Sequence, residues 1–536
     1  MVHAKPLPFR ISRSAETLME VSSASSIPQA ASLRATDGSQ LVRVARGGVL
    51  IFISMFFGLG LNYIYSICLA RMFDAEVFGL YTLGLAAFSV LSVVSVAGLD
   101  RAILRFIPAM NDGDTTTLVG PMVKHIAGMS LIIGCMAGFT LLGLSSSLST
   151  KIFDKPALTH VLIFFSFAIP LFSLSMVLLS TLQALQDNRW RSFVKYGCEP
   201  IIKFSLTLAF VWLGWGLYGA LAAFGIALCL TIVLAYIPLR RYVSSGCPSF
   251  QHRAFHEKVV RFAAPLLGAL IVASLATRSD VFMVGYWLPP EQVGFYGAAF
   301  QTASIIALIL GSLDSVATPL ISRAIAGDKQ SGLQPLLQSV LRWSVTISLP
   351  VFLVLVLFPA ELLSIFGDQF QHASYCLVVL AMSQVVNAAS GSSNTALVLA
   401  GYSKMVMWNS IWLGVAQIVF NVLLVPLYGM TGAAVGTATA LTLVSVVRFY
   451  ECSLLLKVKM IEREIWKPVA AAAITFALVY ASKFSGLPVS WWMLAATSVG
   501  IYVLITTLLG LHEEDRKVLN HLKETVYRHR GPRQCV

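Results

Sequence analysis

Charge is scarce in this chain. Of its 536 residues only 12% are charged, while 57% are hydrophobic and the mean hydropathy is +0.78. Soluble domains carry about a quarter charged residues, so a water-soluble fold is excluded and a bilayer is the natural solvent. Acidic residues are the scarcer sign, 25 Asp and Glu against 38 Lys and Arg, leaving a net charge of +13. The basic residues sit between hydrophobic runs, which is what membrane orientation requires and argues against a nucleic-acid partner. None of the eight cysteines forms a CxxC, and most lie inside apolar runs. They read as small buried hydrophobes, which leaves no disulfide framework and no thiolate metal site. No GxxxxGK[ST] stretch is present, so the chain does not bind ATP in the P-loop manner. The first forty-odd residues are Ser/Ala-rich and lack a long apolar core, unlike a secretory signal. Glu16, Glu20 and Asp37 also argue against a transit peptide. Residues 1–43 are therefore expected to be a flexible cytosolic tail.

What the sequence has instead is hydrophobic runs of membrane length, roughly 20 residues each. About fourteen are expected, near 47–70, 78–99, 119–144, 157–182, 192–213, 216–239, 260–287, 293–318, 338–359, 374–399, 405–426, 430–450, 466–482 and 489–511. With this count the basic residues sort to one side. Links on the tail's side carry Arg101, Arg105, Arg189, Arg191, Arg240, Arg241, Lys404, Lys457 and Lys459, among others. The opposite side shows only Arg71, Lys151, Lys155 and Lys483. The asymmetry places both termini in the cytosol. The opposite-side links are short, the longest near 145–156 and 360–373, so no soluble domain fits there. A polymerase or acyltransferase acting on that face would need a catalytic constellation there, and none is found.

The stretch from Arg71 to Phe106 contains the first half of a repeat. Glu76, Gly79 and Tyr81 in EVFGLY return with unchanged spacing as Glu291, Gly294 and Tyr296 in EQVGFY. Ile152-Phe153 is echoed by Ile365-Phe366, and Gly216-Leu-Tyr-Gly219-Ala220 by Gly429-Met-Thr-Gly432-Ala433. These two pairs share one offset along the chain, and it is nearly that of the first pair. Three ordered pairs at nearly one offset indicate a duplication. Each copy holds six segments, an even number, so the copies share one orientation about an axis along the membrane normal. The expected organisation is an all-α integral membrane protein. It comprises a tail over 1–43, a six-helix lobe over 44–241, a cytosolic linker over 242–258, a second six-helix lobe over 259–456, two further helices over 457–511, and a cytosolic tail over 512–536.

Ionisable groups inside a span are functional candidates, because each costs roughly 2.5–3.5 kcal/mol at the helix centre. The fifth segment carries Lys195, Glu199 and Lys203 at i, i+4, i+8, all on one face. Glu199 precedes Lys203 by four residues, the favourable order for a helical ion pair. Pro200 frees the carbonyl of Tyr196, so a kink is expected there. Either the stripe lines a wet cavity, or it is a self-neutralised pair with Lys195 snorkelling to the surface. In the seventh segment Arg278 and Asp280, two residues apart, point in different directions, and each needs a partner from elsewhere. Arg grips phosphate bidentately; the competing reading is an interhelical Arg–carboxylate pair. Asp314 in the eighth segment has a coupling role or caps a helix near the cytosolic end. Uncharged polar groups gather at Asn62, Tyr63 and Tyr65, at Gln384, Asn387 and Asn394, and at Gln417 and Asn421. They suit sugar hydroxyls, or serve as interhelical glue worth about 0.6 kcal/mol each.

The run LARMFDAEVFGLYTLGLAAFSVLSVVSVAGLDRAILRF, with the GxxGA starts at Gly216 and Gly429, resembles the bacterial polysaccharide-biosynthesis flippases of the Wzx-like group. Their superfamily also contains the multidrug and toxin extruders and the lipid II flippases. The resemblance runs from about Arg43 to the fourteenth segment. It implies two six-helix lobes around a V-shaped cationic cavity, alternating access, and coupling to a proton or sodium gradient, with no other cofactor. Arg278 and Lys203 would then be the cavity cations, and Glu199, Asp280 and Asp314 the coupling or ion-pair carboxylates. Asn62, Tyr63, Asn387, Asn394, Gln417 and Asn421 would be sugar contacts. An extruder usually carries a carboxylate in its first segment, and 47–70 has neither Asp nor Glu. The expected substrate is a lipid-diphosphate-linked oligosaccharide crossing the inner membrane, for exopolysaccharide or O-antigen. The expected partners are membrane lipids and polymerase or export proteins of the pathway. The alternative within transport is an ion-coupled small-cation exporter.

Overall fold

The computed structural model describes residues 38–108, 112–243, 252–326, 332–484 and 490–510. Outside them lie the expected tail as far as residue 37, the linker from 244 to 251, and the whole of the tail over 512–536. Two compact units divide the chain, 1–51 and 52–536. Of the first, only the beginning of helix Gly38–Met72 is described; the rest of this section concerns the second.

Among the described residues the chain is helical and has no strand. The first half holds α1 Gly38–Met72, α2 Ala75–Val96, α3 Leu99–Phe106, α4 Asp112–Ser147, α5 Leu158–Ala184, α6 Glu199–Trp212 and α7 Gly216–Val243. The second holds α8 His252–Trp287, α9 Pro290–Ala303, α10 Ile305–Ala326, α11 Leu333–Leu357, α12 Ser374–Ala389, α13 Ser393–Leu399 and α14 Ser403–Leu455. Two more follow, α15 Trp466–Phe484 and α16 Trp491–Leu508.

Among the described residues, eleven helical stretches are long and apolar enough to cross a membrane. This is fewer than the fourteen segments expected, and the difference sits in three places. The fifth segment is interrupted by a π-helical turn at Phe193–Cys198, which leaves α6 only 14 residues. The seventh segment lies in α8, part of which is outside the described residues, and it is not among the eleven. The eleventh and twelfth run together as α14, 53 residues with a non-helical Gly429 (φ 59°, ψ −140°) inside. At 1.5 Å per residue α14 is roughly 80 Å long, against a hydrocarbon core of about 30 Å. It must therefore bend at Gly429.

The glycines of the repeat have visible reasons. Gly216 and Gly429, which correspond through the repeat, both hold positive φ (52° and 59°), which a side chain resists. Gly79 on α2 and Gly294 on α9, the corresponding pair of the EVFGLY and EQVGFY motifs, pack on one another. A Cβ on Gly79 would lie 3.1 Å from the Gly294 nitrogen, and a Cβ on Gly294 would lie 3.2 Å from the Gly79 nitrogen. The two copies thus meet at equivalent positions, as a pseudo-twofold axis along the membrane normal requires.

The apolar cores show where the halves touch. One end of the bundle carries the short links near 73, 154, 289 and 358–373; we call it the short-link end. Here a single cluster takes residues from both halves, including Leu69, Phe78, Leu83, Phe165, Val284, Tyr296, Phe366 and Phe370. The other end carries Arg101, Arg189, Arg240 and Lys457; we call it the basic end. Here the cores are separate. One is built from the first half and the start of α8, and the other from the second half with α15 and α16. Exposed aromatics ring both ends. Trp212, Trp215, Tyr218, Tyr428 and Trp492 lie towards the short links, and Trp408, Trp412, Tyr450 and Trp466 towards the basic end. Trp and Tyr favour the two membrane–water interfaces. The last two helices are fastened to α11: Arg342 pairs with Glu462 at 2.5 Å, and the Tyr502 hydroxyl donates to the Thr346 carbonyl at 3.0 Å.

Candidate functional site

Pro200 sets the site in motion. It has no N–H to give the carbonyl of Tyr196 four residues earlier, and the backbone there takes the π-helical form, Phe193–Cys198. Against that carbonyl sits Gly58 of α1; a Cβ on Gly58 would lie 2.6 Å from the Tyr196 oxygen. The missing side chain brings α1 close to α6. One and two turns further along α1, Asn62 and Tyr65 then reach Lys203. Its ammonium donates to Asn62 Oδ1 at 2.5 Å and sits 4.3 Å from the centre of the Tyr65 ring. The Asn62 amide nitrogen donates to the Gly58 carbonyl at 2.8 Å.

This arrangement corrects the ion pair expected from spacing. Glu199 does not pair with Lys203. It accepts from Lys195, at 3.0 and 3.1 Å to its two oxygens. Lys203 is held on the other side by Asn62 and Tyr65, so its charge has no carboxylate within ion-pair distance among the described residues.

Lys203 and Glu199 line a cavity of about 520 Å³. Its wall also includes Asn62, Ser89, Ser92, Asp100, Arg101, Phe88, Phe172, Phe224, Leu270 and Arg278. All but Leu270 and Arg278 belong to the first half, so α8 closes the cavity from the side. Arg278 makes no ion pair among the described residues. The Ser92 hydroxyl is buried without a partner among the described residues. The cavity thus combines two cations without an ion pair among the described residues, amide and hydroxyl groups, and an aromatic wall in which Phe88 meets Phe172 and Phe224 edge-on at 5.4 and 5.3 Å.

Asp280, two residues after Arg278, faces away from this cavity, as the helical rotation dictates. It is 2% exposed and accepts from the Tyr296 hydroxyl at 2.8 Å and from the Val281 N–H. The Tyr296 hydroxyl oxygen also lies 3.4 Å from Thr437 Oγ1. Beside Thr437, the Asn421 side chain lies against Gly436, and both of its amide atoms are buried without a partner among the described residues. The Gln417 oxygen one turn before is likewise buried and unpartnered. Asp280 makes no ion pair among the described residues. Asp280, Tyr296 and Thr437 form a second, buried polar cluster inside the second half.

The remaining expected residues lie apart from the cavity wall. Tyr63 bonds Thr302 of the other half at 3.0 Å. Asp314 accepts from Ser392 at the break between α12 and α13. Asn387 accepts from Ser445 at 3.3 Å, and Asn394 is exposed. Sequence reasoning missed Asp100, Arg101 and Ser92 as wall residues, since they stand at a helix end or carry only a hydroxyl. It also left Tyr296 and Thr437 unconnected to Asp280. The repeat holds a signal for them: the offset that joins Gly79 to Gly294 also joins Tyr65 to Asp280 and Tyr81 to Tyr296.

At the short-link end the halves are tied by polar contacts. Arg71 donates to the carbonyls of Ile365 and Ser364, at 2.6 and 3.2 Å. Gln301 donates to Ser66 at 3.0 Å. Lys155, 8% exposed in the link between two spans, donates to the Gly285 carbonyl. Burial pulls the Lys155 ammonium below the ordinary lysine range, with the Asp154 carboxylate opposing it.

Comparison with known proteins finds a family model over more than half of the chain and several transport proteins similar to it. A family model described as "Polysaccharide biosynthesis protein" matches residues 44–325, more than half of the chain, and the MatE model matches 265–423. A probable low-salt glycan biosynthesis flippase, Agl15 of Haloferax volcanii, is 22% identical over 480 residues, covering 87% of this chain and 93% of that one. The succinoglycan biosynthesis transport protein ExoT of Rhizobium meliloti is 23% identical over 357 residues, covering 65% of this chain and 68% of its own. Among solved structures, the lipid II flippase MurJ in an inward closed conformation superposes with a TM-score of 0.69 at 14% identity, over 86% of this chain and 98% of that one. An inward-facing multidrug resistance MATE transporter superposes with a TM-score of 0.63 at 17% identity, over 76% and 98%.

Proposed function

The chain belongs to the polysaccharide biosynthesis protein family, and from that premise we propose that it is a flippase for a lipid-diphosphate-linked oligosaccharide. The observation that carries this reading is the pair Arg278 and Lys203, two cations on the wall of one cavity with no carboxylate in ion-pair distance among the described residues. A polyprenyl diphosphate cannot bring its charge through hydrocarbon unaided. Fixed cations can replace its water, at about 4 kcal/mol per contact for an effective dielectric of 20. The amides and hydroxyls of Asn62, Ser89 and Ser92 suit the glycan, and the lipid tail stays in the bilayer. The relatives named as glycan flippase and succinoglycan transport protein support the same substrate class. The basic end is cytosolic by the distribution of Lys and Arg, with both termini inside and the protein in the cytoplasmic membrane. One core spans both halves at the short-link end, while at the basic end there are two, with the start of α8 joining that of the first half, and this suits a state that loads from the cytosol.

The test is export with the protein still inserted. Arg278→Ala or Lys203→Ala should lower glycan export at least about tenfold, because each removes one charge contact worth more than about 1.4 kcal/mol. Lipid-linked oligosaccharide should accumulate inside. Wild-type export by the double variant would falsify the cavity assignment.

The buried cluster around Asp280 is read as the coupling site for a proton or a sodium ion. Asp280, with Tyr296 and Thr437 beside it, offers hard oxygen donors, the kind that alkali and alkaline-earth cations take. An ion that binds one state better than the other biases the exchange between them. Asp280→Asn should leave substrate binding unchanged and abolish the dependence of transport on the ion gradient, measured as export before and after an ionophore. Transport that remains ionophore-sensitive in the variant would move the coupling site elsewhere.

A further inference from the structure

The two halves treat one equivalent position differently. Tyr65 of α1 corresponds through the repeat to Asp280 of α8, and Tyr81 to Tyr296. In the second half the buried tyrosine, Tyr296, bonds a carboxylate at 2.8 Å. In the first half Tyr81 stands beside the phenol of Tyr65. At that place the first half has no acid, and Lys203 sits over the Tyr65 ring at 4.3 Å. The ring is 3% exposed, and its hydroxyl is also within 3.5 Å of Thr207 Oγ1, whose hydroxyl bonds the carbonyl of Lys203 itself.

The geometry points to Tyr65 as a positioning residue for substrate anions. We propose that its ring holds the Lys203 ammonium on the cavity wall without neutralising it. A carboxylate here, as at Asp280, would attract the same ammonium but cancel its charge. A ring face attracts a cation through its quadrupole and leaves the net charge in place. Asn62 serves the same end, since a neutral amide oxygen fixes the ammonium without cancelling it. Glu199, the nearest acid on the same helix, is occupied by Lys195. The inference rests on the reading of the cavity as an anion site, and it adds why one lysine of the stripe keeps its charge.

The test uses the full-length chain purified in detergent and farnesyl diphosphate as the probe, with binding followed by calorimetry. Tyr65→Phe keeps the ring and should bind within about twofold of wild type. Tyr65→Leu keeps the apolar volume but loses the ring face, and should bind about tenfold more weakly. Tyr65→Asp copies the other half and should bind more weakly still. In a Lys203→Gln background, Tyr65→Leu should cause no further loss, because the two residues act as one unit. Monodispersity in size-exclusion chromatography shows that each variant is folded. Equal loss in the Phe and Leu variants, or an undiminished loss from Tyr65→Leu on the Gln background, overturns the positioning role. If Lys203→Gln alone binds the diphosphate as wild type does, it is the cavity reading itself that fails.

Discussion

Placing a methyl group on Gly79 is expected to cost at least about 3 kcal/mol of stability, the upper end of overpacking penalties. An added Cβ would lie 1.8 Å from the Pro290 carbonyl oxygen and 2.6 Å from its carbon. Both obstacles are backbone at the start of α9, so no side chain can rotate out of the way. The same holds at Gly294, whose Cβ would lie 2.7 Å from the Ala75 carbonyl. Relief requires α2 and α9 to separate, and that opens the core shared by the two halves. Gly60 provides the control, because nothing lies within 4 Å of its added Cβ. Thermal unfolding in detergent should show Gly79→Ala and Gly294→Ala melting at least roughly 5 °C below Gly60→Ala. Equal melting of all three would mean that the crossing is looser than its geometry.

Cutting the polar ties at the short-link end should shift the molecule towards opening on that side. Arg71→Ala removes two bonds to the Ile365 and Ser364 carbonyls, and Lys155→Met removes the bond to Gly285. Bonds from charged donors contribute about 1.5–3 kcal/mol each when sheltered, and less for exposed Arg71. Burying the Lys155 charge costs something in return, which is the meaning of its lowered pKa. The clasp is therefore breakable. The double variant should still move the equilibrium about tenfold, since about 1.4 kcal/mol suffices. Spin labels at the exposed positions Lys151 and Tyr375, in a chain freed of native cysteines, would read this as a longer distance population. An unchanged distribution would show that the apolar core alone keeps this end shut.

Much of this was legible in the residues, for a physical reason. A charge at mid-membrane depth is costly enough that Arg278 and Lys203 stand out against their apolar runs. The repeat was legible because Gly79, Gly294, Gly216 and Gly429 answer to backbone geometry that admits no side chain. The pairing within the fifth segment was not. Regular i, i+4 spacing offers Glu199 to both lysines equally, and the choice is made by α1, whose approach depends on Gly58 and on the π-helical turn before Pro200. The wall residues Ser92 and Arg101 were silent because a hydroxyl and a link arginine look alike wherever they are. Among the described residues, eleven apolar stretches instead of fourteen reflect a bend at Gly429 and a broken fifth segment, while part of the seventh lies outside the described residues.

The final pair of helices has a mechanical consequence. Among the described residues, α15 and α16 share a core with the second half through Tyr502 and Val479, and are bolted to it by Arg342, Glu462 and Lys483. If the halves rock, these helices ride as passengers on one of them. They would sweep through lipid like a rudder, so the work of each cycle includes displacing acyl chains on one flank of the protein, and stiffer membranes should slow it.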